Sequence, residues 1–422
     1  MKKQALLTVF IVVLIDLMGF GIVLPLLPFY ASKFSASPVA IGLLYSVYSL
    51  AQLIFSPIWG NSSDKIGRRP IMLLSTLGAV FAYLLFAFSN SLKILFLSRL
   101  IAGIMGGNIS TAQAYVADVT EHKDRAKGMG LIGAAFGIGF VIGPALATFL
   151  IHPVFHQTFD KLGLTGLSAI IDQNKYAVPG IVAAFFSLIS FLLVLFKLPE
   201  SLDKKTREDS ERVVRSSIFS RSFWVSLAQS GDAAKKNILP ILMLCLLLLS
   251  FGQSSLYSAF PLFCKKILDL SAEKVGIQFV YMGLVTVLIQ GGLIRPLEKR
   301  FGEKNLFLLG SAVMVIGLAL IPFASSEKIL TAYLLLMTVG ASLNGPTLTS
   351  LISKQSDPSR VGSTMGISQG FSALGRVIGP TWGGALFAVS FRLPFICTAA
   401  LISLTIWVGI RLVSVDINNR LR

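Results

Sequence analysis

Charge is what this sequence has least of. Asp, Glu, Lys and Arg make up 14% of its 422 residues, where a soluble surface needs roughly a quarter of its residues charged. The hydrophobic share is 54% and the mean hydropathy +0.76, which together exclude a water-soluble globule and a disordered chain. Histidine is almost absent as well. His122, His152 and His156 all fall in loops, none with an acid partner deep in an apolar run, so a nucleophile with its base is missing and an enzyme is not expected. The three cysteines, Cys245, Cys264 and Cys397, have neither metal-ligand spacing nor the density of a disulfide scaffold, and read as small buried hydrophobes. No metal site and no cofactor are expected.

What is present is a series of apolar runs of membrane-crossing length, separated by short charged breaks. They fall near 5–30, 40–59, 71–89, 93–115, 127–150, 178–197, 238–263, 275–294, 305–323, 328–350, 362–388 and 392–412. The chain is therefore expected to be an all-α polytopic membrane protein with twelve transmembrane helices. The first run follows MKKQ without a cleavage site and is interrupted by Asp16, Gly19, Pro25 and Pro28, so it reads as helix one and not as a removed signal. Assigning the loops alternately to two sides puts 26 of the 37 Lys and Arg on the side of both termini, nine on the other and two, Arg99 and Arg376, inside spans. The positive-inside rule then places both termini in the cytoplasm, and a bacterial inner membrane is the expected location. The net charge of +17 follows from this topology and from anionic lipid headgroups, with no nucleic acid partner needed.

Two segments stand outside the spans. Residues 198–236 form a charged cytoplasmic linker in which Val214, Ile218, Phe219, Phe223, Trp224 and Leu227 can make the apolar side of an interfacial helix. Loop 151–177 is long for the external side, and its His152, His156, Asp160 and Asp172 fit a short cap better than a metal site. The chain also repeats itself. An offset near 235 lays Gly67-Arg68-Arg69 on Gly302-Glu303-Lys304, and GMGLIGAAFGIGFVIGP ending at Pro144 on TMGISQGFSALGRVIGP ending at Pro380. Two pseudo-symmetric six-helix bundles, 1–197 and 237–422, are expected on either side of the linker, an arrangement that lets a central path open alternately at each side.

The loop Gly60-Asn61-Ser62-Ser63-Asp64-Lys65-Ile66-Gly67-Arg68-Arg69-Pro70 resembles the signature between helices two and three of the major facilitator superfamily. Arg99-Leu100-Ile101-Ala102-Gly103 in helix four and Gly139-Phe140-Val141-Ile142-Gly143-Pro144 in helix five resemble further motifs of its proton-antiporter branches. With Asp16 ahead of Leu24-Pro25-Leu26-Leu27-Pro28, and Gln369 to Arg376 in helix eleven, the pattern is similar to the tetracycline and multidrug exporter group. The resemblance implies the major facilitator fold and proton-coupled export from the cytoplasm. Helix three departs from that group, with Ala82 and Tyr83 where an essential acid would stand, which argues against tetracycline itself as cargo.

Asp16 is the one acid inside a span. An intramembrane carboxylate is costly unless protonated, paired or facing a wet cavity, so Asp16 is the leading candidate for proton coupling, with a structural hydrogen bond as the alternative. Arg99 can fix Asp16 electrostatically, and the resemblance lends the helix-four arginine a part in coupling. Asp64, Arg68, Asp118 and Arg125, with Gly60, Gly67 and Arg69 of the same signature, are expected to form a cytoplasmic charge cluster that latches the two bundles in one state and releases them in the other. Gly133, Gly137, Gly139, Gly143 and Pro144 of helix five, and Gly375, Gly379 and Pro380 of helix eleven, offer nearly side-chain-free faces for close helix packing.

For the cargo, Tyr30, Asn108, Thr111, Gln113, Gln253, Tyr257, Gln278, Tyr281, Asn344 and Gln369 supply amides and hydroxyls, and Arg376 a cation that can instead cap carbonyls or reach an interface. So few charges suit an amphipathic or hydrophobic small molecule, while a lipid, lysolipid or metabolite remains the alternative. A monomer is expected.

Overall fold

In the computed structural model, residues 2–120, 125–152, 174–202, 238–356 and 361–420 are described. They form twelve long helices: α1 Lys2–Ser32, α2 Pro38–Ile66, α3 Arg68–Ala87, α4 Leu92–Val119, α5 Arg125–Ile151, α6 Ala177–Lys197, α7 Ile238–Ile267, α8 Ala272–Phe301, α9 Glu303–Phe323, α10 Glu327–Gln355, α11 Val361–Val389 and α12 Leu393–Arg420. Eleven are long and apolar enough to cross a membrane by length and composition. The twelfth, α11, has the required length but is diluted by its glycines, Gln369 and Arg376. The expected interfacial helix in 198–236 and the cap in loop 151–177 fall almost wholly outside the described residues.

Lipid explains why helices suffice. With no water in the hydrocarbon layer, each segment must satisfy its own backbone, which a helix alone does locally. Prolines inside α1, α2, α5, α7, α10 and α11 interrupt that ladder at single points. Large apolar side chains such as Phe81, Phe149, Phe196, Leu288 and Leu404 are exposed, as lipid-facing groups should be.

The repeat is visible in the helix ends. Ser91 and Ser326 accept the third N–H of α4 and α10, and Gly67 and Gly302 precede α3 and α9 with φ of 117° and 78°. Those values lie in the region L side chains avoid, which is why glycine occupies both turns.

The helices form two compact units, one of Met1–Ala36, Val47–Arg215 and Leu270–Gly283, the other of Ser37–Ser46, Ser216–Asp269 and Leu284–Arg422. In the first unit, α1, α3, α4, α5 and α6 share a core of Val9, Val12, Leu17, Met72, Tyr115, Val116, Ile132 and Val194. The start of α8 packs there too: a Cβ at Gly276 would meet the Thr148 hydroxyl, and one at Gly283 would meet Val141. In the second unit, Ile289, Ile294, Leu306 and Leu343 join α8, α9 and α10. There the start of α2 meets α11, with Gly42 against Pro380 and Thr381 donating to Ser46 at 2.8 Å.

Not every expected packing glycine packs. Gly139 and Gly143 of α5 lie against Leu17, Met18 and Gly21 of α1, and Gly375 and Gly379 of α11 lie against Leu247, Phe251 and Ser254 of α7. At Gly133 and Gly137, however, nothing among the described residues lies within 4 Å of an added Cβ. Of the glycines expected to pack, those at 139 and 143 make the close approach to α1 and those at 133 and 137 do not, so the glycine face expected along helix five is divided into a packed part and an open part.

Candidate functional site

The signature loop condenses around Arg68, which is 5% exposed. Its Nη1 pairs with Asp64 Oδ1 at 2.6 Å and donates to the Ser63 hydroxyl at 2.6 Å, while its Nε reaches Asp118 at the end of α4 at 3.0 Å. A buried guanidinium needs several acceptors, and two carboxylates from different helices provide them. Ser63 also donates to the carbonyl of Gly60 at 2.8 Å, closing the turn from within. Arg69 turns away and donates to the Leu195 carbonyl at 2.6 Å. The side chain of Arg125, the fourth expected member, lies outside the described residues.

A further member was not anticipated. Glu200, three residues past α6, takes the backbone N–H of Arg68 on one carboxylate oxygen at 2.9 Å and that of Arg69 on the other at 3.2 Å. Those are orphan donors at the first turn of α3, where an anion is favoured by the helix dipole. Ser201 then donates to Asp118 at 3.0 Å and Tyr115 to the Pro199 carbonyl at 2.9 Å, tying the end of α6 into the same cluster. In sequence Glu200 had the look of one more linker charge. Only its place directly after an apolar span hinted that it stays near the helix ends.

The second assembly lies within the first unit. Helix α4 breaks between Gly106 and Ile109, where the N–H groups of Gly107 and Asn108 bond three residues back. Side chains of α2 satisfy the loosened backbone, Gln52 donating to the Gly106 carbonyl at 3.0 Å and Trp59 to the Ile104 carbonyl at 2.6 Å, while Ser110 of α4 donates in return to the Ser56 carbonyl of α2 at 2.7 Å. The break turns Asn108 inward, where it is 3% exposed. Its amide nitrogen donates to Asp16 Oδ2 and to the Ser75 hydroxyl, both at 2.9 Å. Asp16, near the midpoint of α1, thus takes its hydrogen bond from a residue the sequence suggested for the cargo cavity.

Arg99, expected to fix Asp16 electrostatically, is set against aromatic rings. It is 2% exposed, and its guanidinium lies over the rings of Phe86 and Tyr83, at 4.9 and 5.8 Å. Tyr83 also lines a small cavity beside Asp16, together with Tyr48, Ser75, Ala79, Ala102, Met105, Gly106 and Asn108. The aromatic ring that stands where an acid was looked for is the group shared by Arg99 and the Asp16 cavity.

The repeat isolates what is particular to Asp16. Asn344 and Ser311 stand 236 residues after Asn108 and Ser75, and they too are hydrogen-bonded, at 3.4 Å. The position 236 residues after Asp16 is Gly252, packed against Ile402 and Thr398. The Asn–Ser pair therefore belongs to the repeated architecture, whereas the carboxylate is present in one copy. The ion pair is repeated with its sign reversed: Lys354 donates to Glu303 at 2.8 Å, with Ser350 beside it at 2.7 Å.

The remaining cavity candidates separate by burial. Tyr30 is an anchor, donating to the Ser89 carbonyl at 2.8 Å and stacking on Tyr176. Thr111, Gln278 and Asn344 are buried, while Gln113, Gln253, Tyr281 and Gln369 are exposed. Tyr257 and Arg376 are half-buried; Tyr257 lies 6.3 Å from the Tyr45 ring, and Arg376 donates to Ser372 at 2.9 Å. Among the described residues no three His, Cys, Asp or Glu side chains converge as metal ligands.

Twelve helices in a twice-repeated set of six, with a charged turn at one end of each set, define a polytopic membrane transporter. The chain belongs to the Major Facilitator Superfamily, whose family model matches residues 9–380 and 242–418. It is 29% identical over 410 residues to the class B tetracycline resistance protein of Escherichia coli, covering 94% of both chains. Against multidrug resistance protein 2 of Bacillus subtilis it is 26% identical over 401 residues, covering 92% of this chain and 91% of the relative. The resemblance to the tetracycline and multidrug group is thereby borne out, and these relatives are transporters, not enzymes. Among solved structures, a bacterial homologue of the human lysosomal transporter Spinster, inward-facing and occupied, superposes with a TM-score of 0.74 at 12% identity over 97% of each chain. The human organic anion transporter TETRAN gives 0.67 at 24% identity, covering 97% of this chain and 99% of that one. Both likenesses concern the fold.

Proposed function

We propose that this protein exports an amphipathic or hydrophobic small molecule from the cytoplasm in exchange for protons, by alternating access between bundles 1–197 and 237–422. The observation that carries the reading is the Asp16 carboxylate within a membrane span, held by the neutral amide of Asn108 and absent from the repeated position in the second half. A carboxylate hydrogen-bonded to a neutral amide at that depth can exchange a proton more readily than one locked in an ion pair. Arg99, against the Tyr83 ring, acts on the Asp16 cavity through that ring. In this reading the cluster of Asp64, Arg68, Asp118 and Arg125 is the latch, and the exposed amides Gln253 and Gln369 with Tyr257 and Arg376 meet the cargo. Both termini lie in the cytoplasm of a bacterial inner membrane, and the protein works as a monomer among lipids.

The test is uptake into inverted vesicles under an imposed pH gradient, using amphipathic cations, neutral drugs and lysolipids, for the natural protein and for Asp16→Asn. Gradient-driven uptake of an amphipathic compound, lost in D16N, is expected. Uptake indifferent to the gradient overturns the coupling, and uptake of lysolipids alone replaces the cargo class.

A further inference from the structure

The amide of Asn108 leaves an account open. Both hydrogens of its nitrogen are engaged, one by Asp16 and one by Ser75, and Ser75 has given its own hydrogen to the Met72 carbonyl at 3.0 Å. Asn108 cannot be turned around without setting its oxygen against two acceptors. Its Oδ1 consequently faces no donor and is buried without a hydrogen-bond partner among the described residues. In the second half the amide has the other orientation: Asn344 Oδ1 accepts from Ser311, because Gly252 stands where Asp16 would demand the nitrogen. Asp16 has thus reoriented a repeated asparagine at the expense of its acceptor.

Beside this amide lies the cavity of about 20 Å³ lined by Asp16, Asn108, Ser75, Tyr48 and Tyr83, with Ala79, Ala102 and Met105 as its apolar walls. A volume above roughly 10–15 Å³ with two to four polar partners is enough to hold one water. We propose that a single water molecule is bound here, donating one hydrogen to Asn108 Oδ1 and the other toward the Asp16 carboxylate. A buried acceptor of this kind is costly when left unmet, and water is the donor whose size matches the site. The site rests on the proposed coupling role of Asp16 only for its use: there the water is the carrier that hands a proton to the carboxylate and takes it back.

The test is difference infrared spectroscopy on the full-length protein in lipid nanodiscs, stepped in pH in ordinary water and in water enriched in oxygen-18. An isotope-shifted O–H band that changes together with the Asp16 carboxyl band is expected, and it should be lost in Ala79→Val, which fills the cavity while leaving the Asn108–Asp16 bond in place. Gly106→Ala, whose added methyl would press toward the Tyr48 hydroxyl that also lines the cavity, provides a second variant should A79V misfold. A79V should also slow gradient-driven uptake by about a hundredfold, the lower end for a lost proton-transfer group. Absence of an isotope-sensitive band in the natural protein, or a band unchanged in both variants, overturns the site. A band lost in A79V while D16N still couples transport to the gradient supports the water site and sinks the coupling role of Asp16 instead.

Discussion

Glu200 receives the backbone N–H of Arg68 at 2.9 Å across 132 residues of chain. The contact joins the end of the first six helices to the turn that opens the third, and it makes the charged signature a three-dimensional object built from α2, α3, α4 and the residues after α6. Replacing Glu200 with Ala leaves two first-turn donors of α3 unmet, and should lower stability by about 1–2 kcal/mol, the usual cost of losing a helix cap. Glu200→Gln, with one acceptor oxygen, should fall between. Unfolding of detergent-solubilised protein monitored by tryptophan fluorescence ranks the three proteins.

The two ion pairs of the repeat should respond very differently to truncation. The Lys354 side chain is 66% exposed, and its pairing with Glu303 should be worth no more than about 1 kcal/mol. The Arg68 side chain is 7% exposed, and its loss strands two carboxylates, a change that costs about 3–5 kcal/mol. Folded yield after solubilisation should be near normal for Lys354→Ala and poor for Arg68→Ala. Equal yields would show that the first cluster is solvated in the membrane-embedded protein.

Asp64→Asn tests the latch without dismantling the cluster, since the amide oxygen still accepts from Arg68. Transport rate in vesicles should fall several-fold, with the amount of folded protein unchanged. A variant that transports at the natural rate would leave the cluster a purely structural role.

Gly302→Ala isolates backbone strain, because its φ is 78° and no atom of the described residues lies within 4 Å of an added methyl group. A loss of about 1–2 kcal/mol is expected from conformation alone. Gly67→Ala, at φ 117° beside the buried arginine, should cost at least as much; denaturant midpoints of the two variants compare them directly.

The divided glycine face of α5 gives a matched pair. Alanine at 143 would press on the Gly21 backbone, with its Cβ 2.7 Å from that Cα, and should reduce folded protein markedly. Alanine at 133 meets nothing among the described residues and should leave stability within about 0.5 kcal/mol, as for other substitutions into open space. Size-exclusion profiles of the two variants distinguish packing from mere glycine content.

Much of this architecture was legible along the chain, and the reason is that the membrane acts on local sequence. Hydrocarbon thickness sets the length of an apolar run, and the need to satisfy backbone groups within the segment makes each run a helix, so the twelve helices follow from residues in order. Internal repetition is likewise a linear property, and it pointed to Gly67 and Gly302 before either turn was seen. Even Asp64, Arg68 and Asp118 could be nominated, because charge at helix ends is concentrated in the breaks that the alternating assignment puts on one side.

Pairings across helices obey a different constraint. Whether Asp16 meets Arg99 or Asn108 depends on which faces α1, α3 and α4 present to one another and on the break in α4, and neither is written in hydrophobic period. The same holds for Glu200, whose role exists only because α6 ends beside the start of α3, and for Gly133 and Gly143, identical in sequence and opposite in surroundings. Sequence alone determined the spans, the repeat and the short roll of charges available to them, since each is set by segment-length interactions with lipid. Tertiary structure decided which carboxylate meets which donor, because a hydrogen bond reaches about 3 Å and only packed helices bring residues 92 or 132 positions apart within that distance.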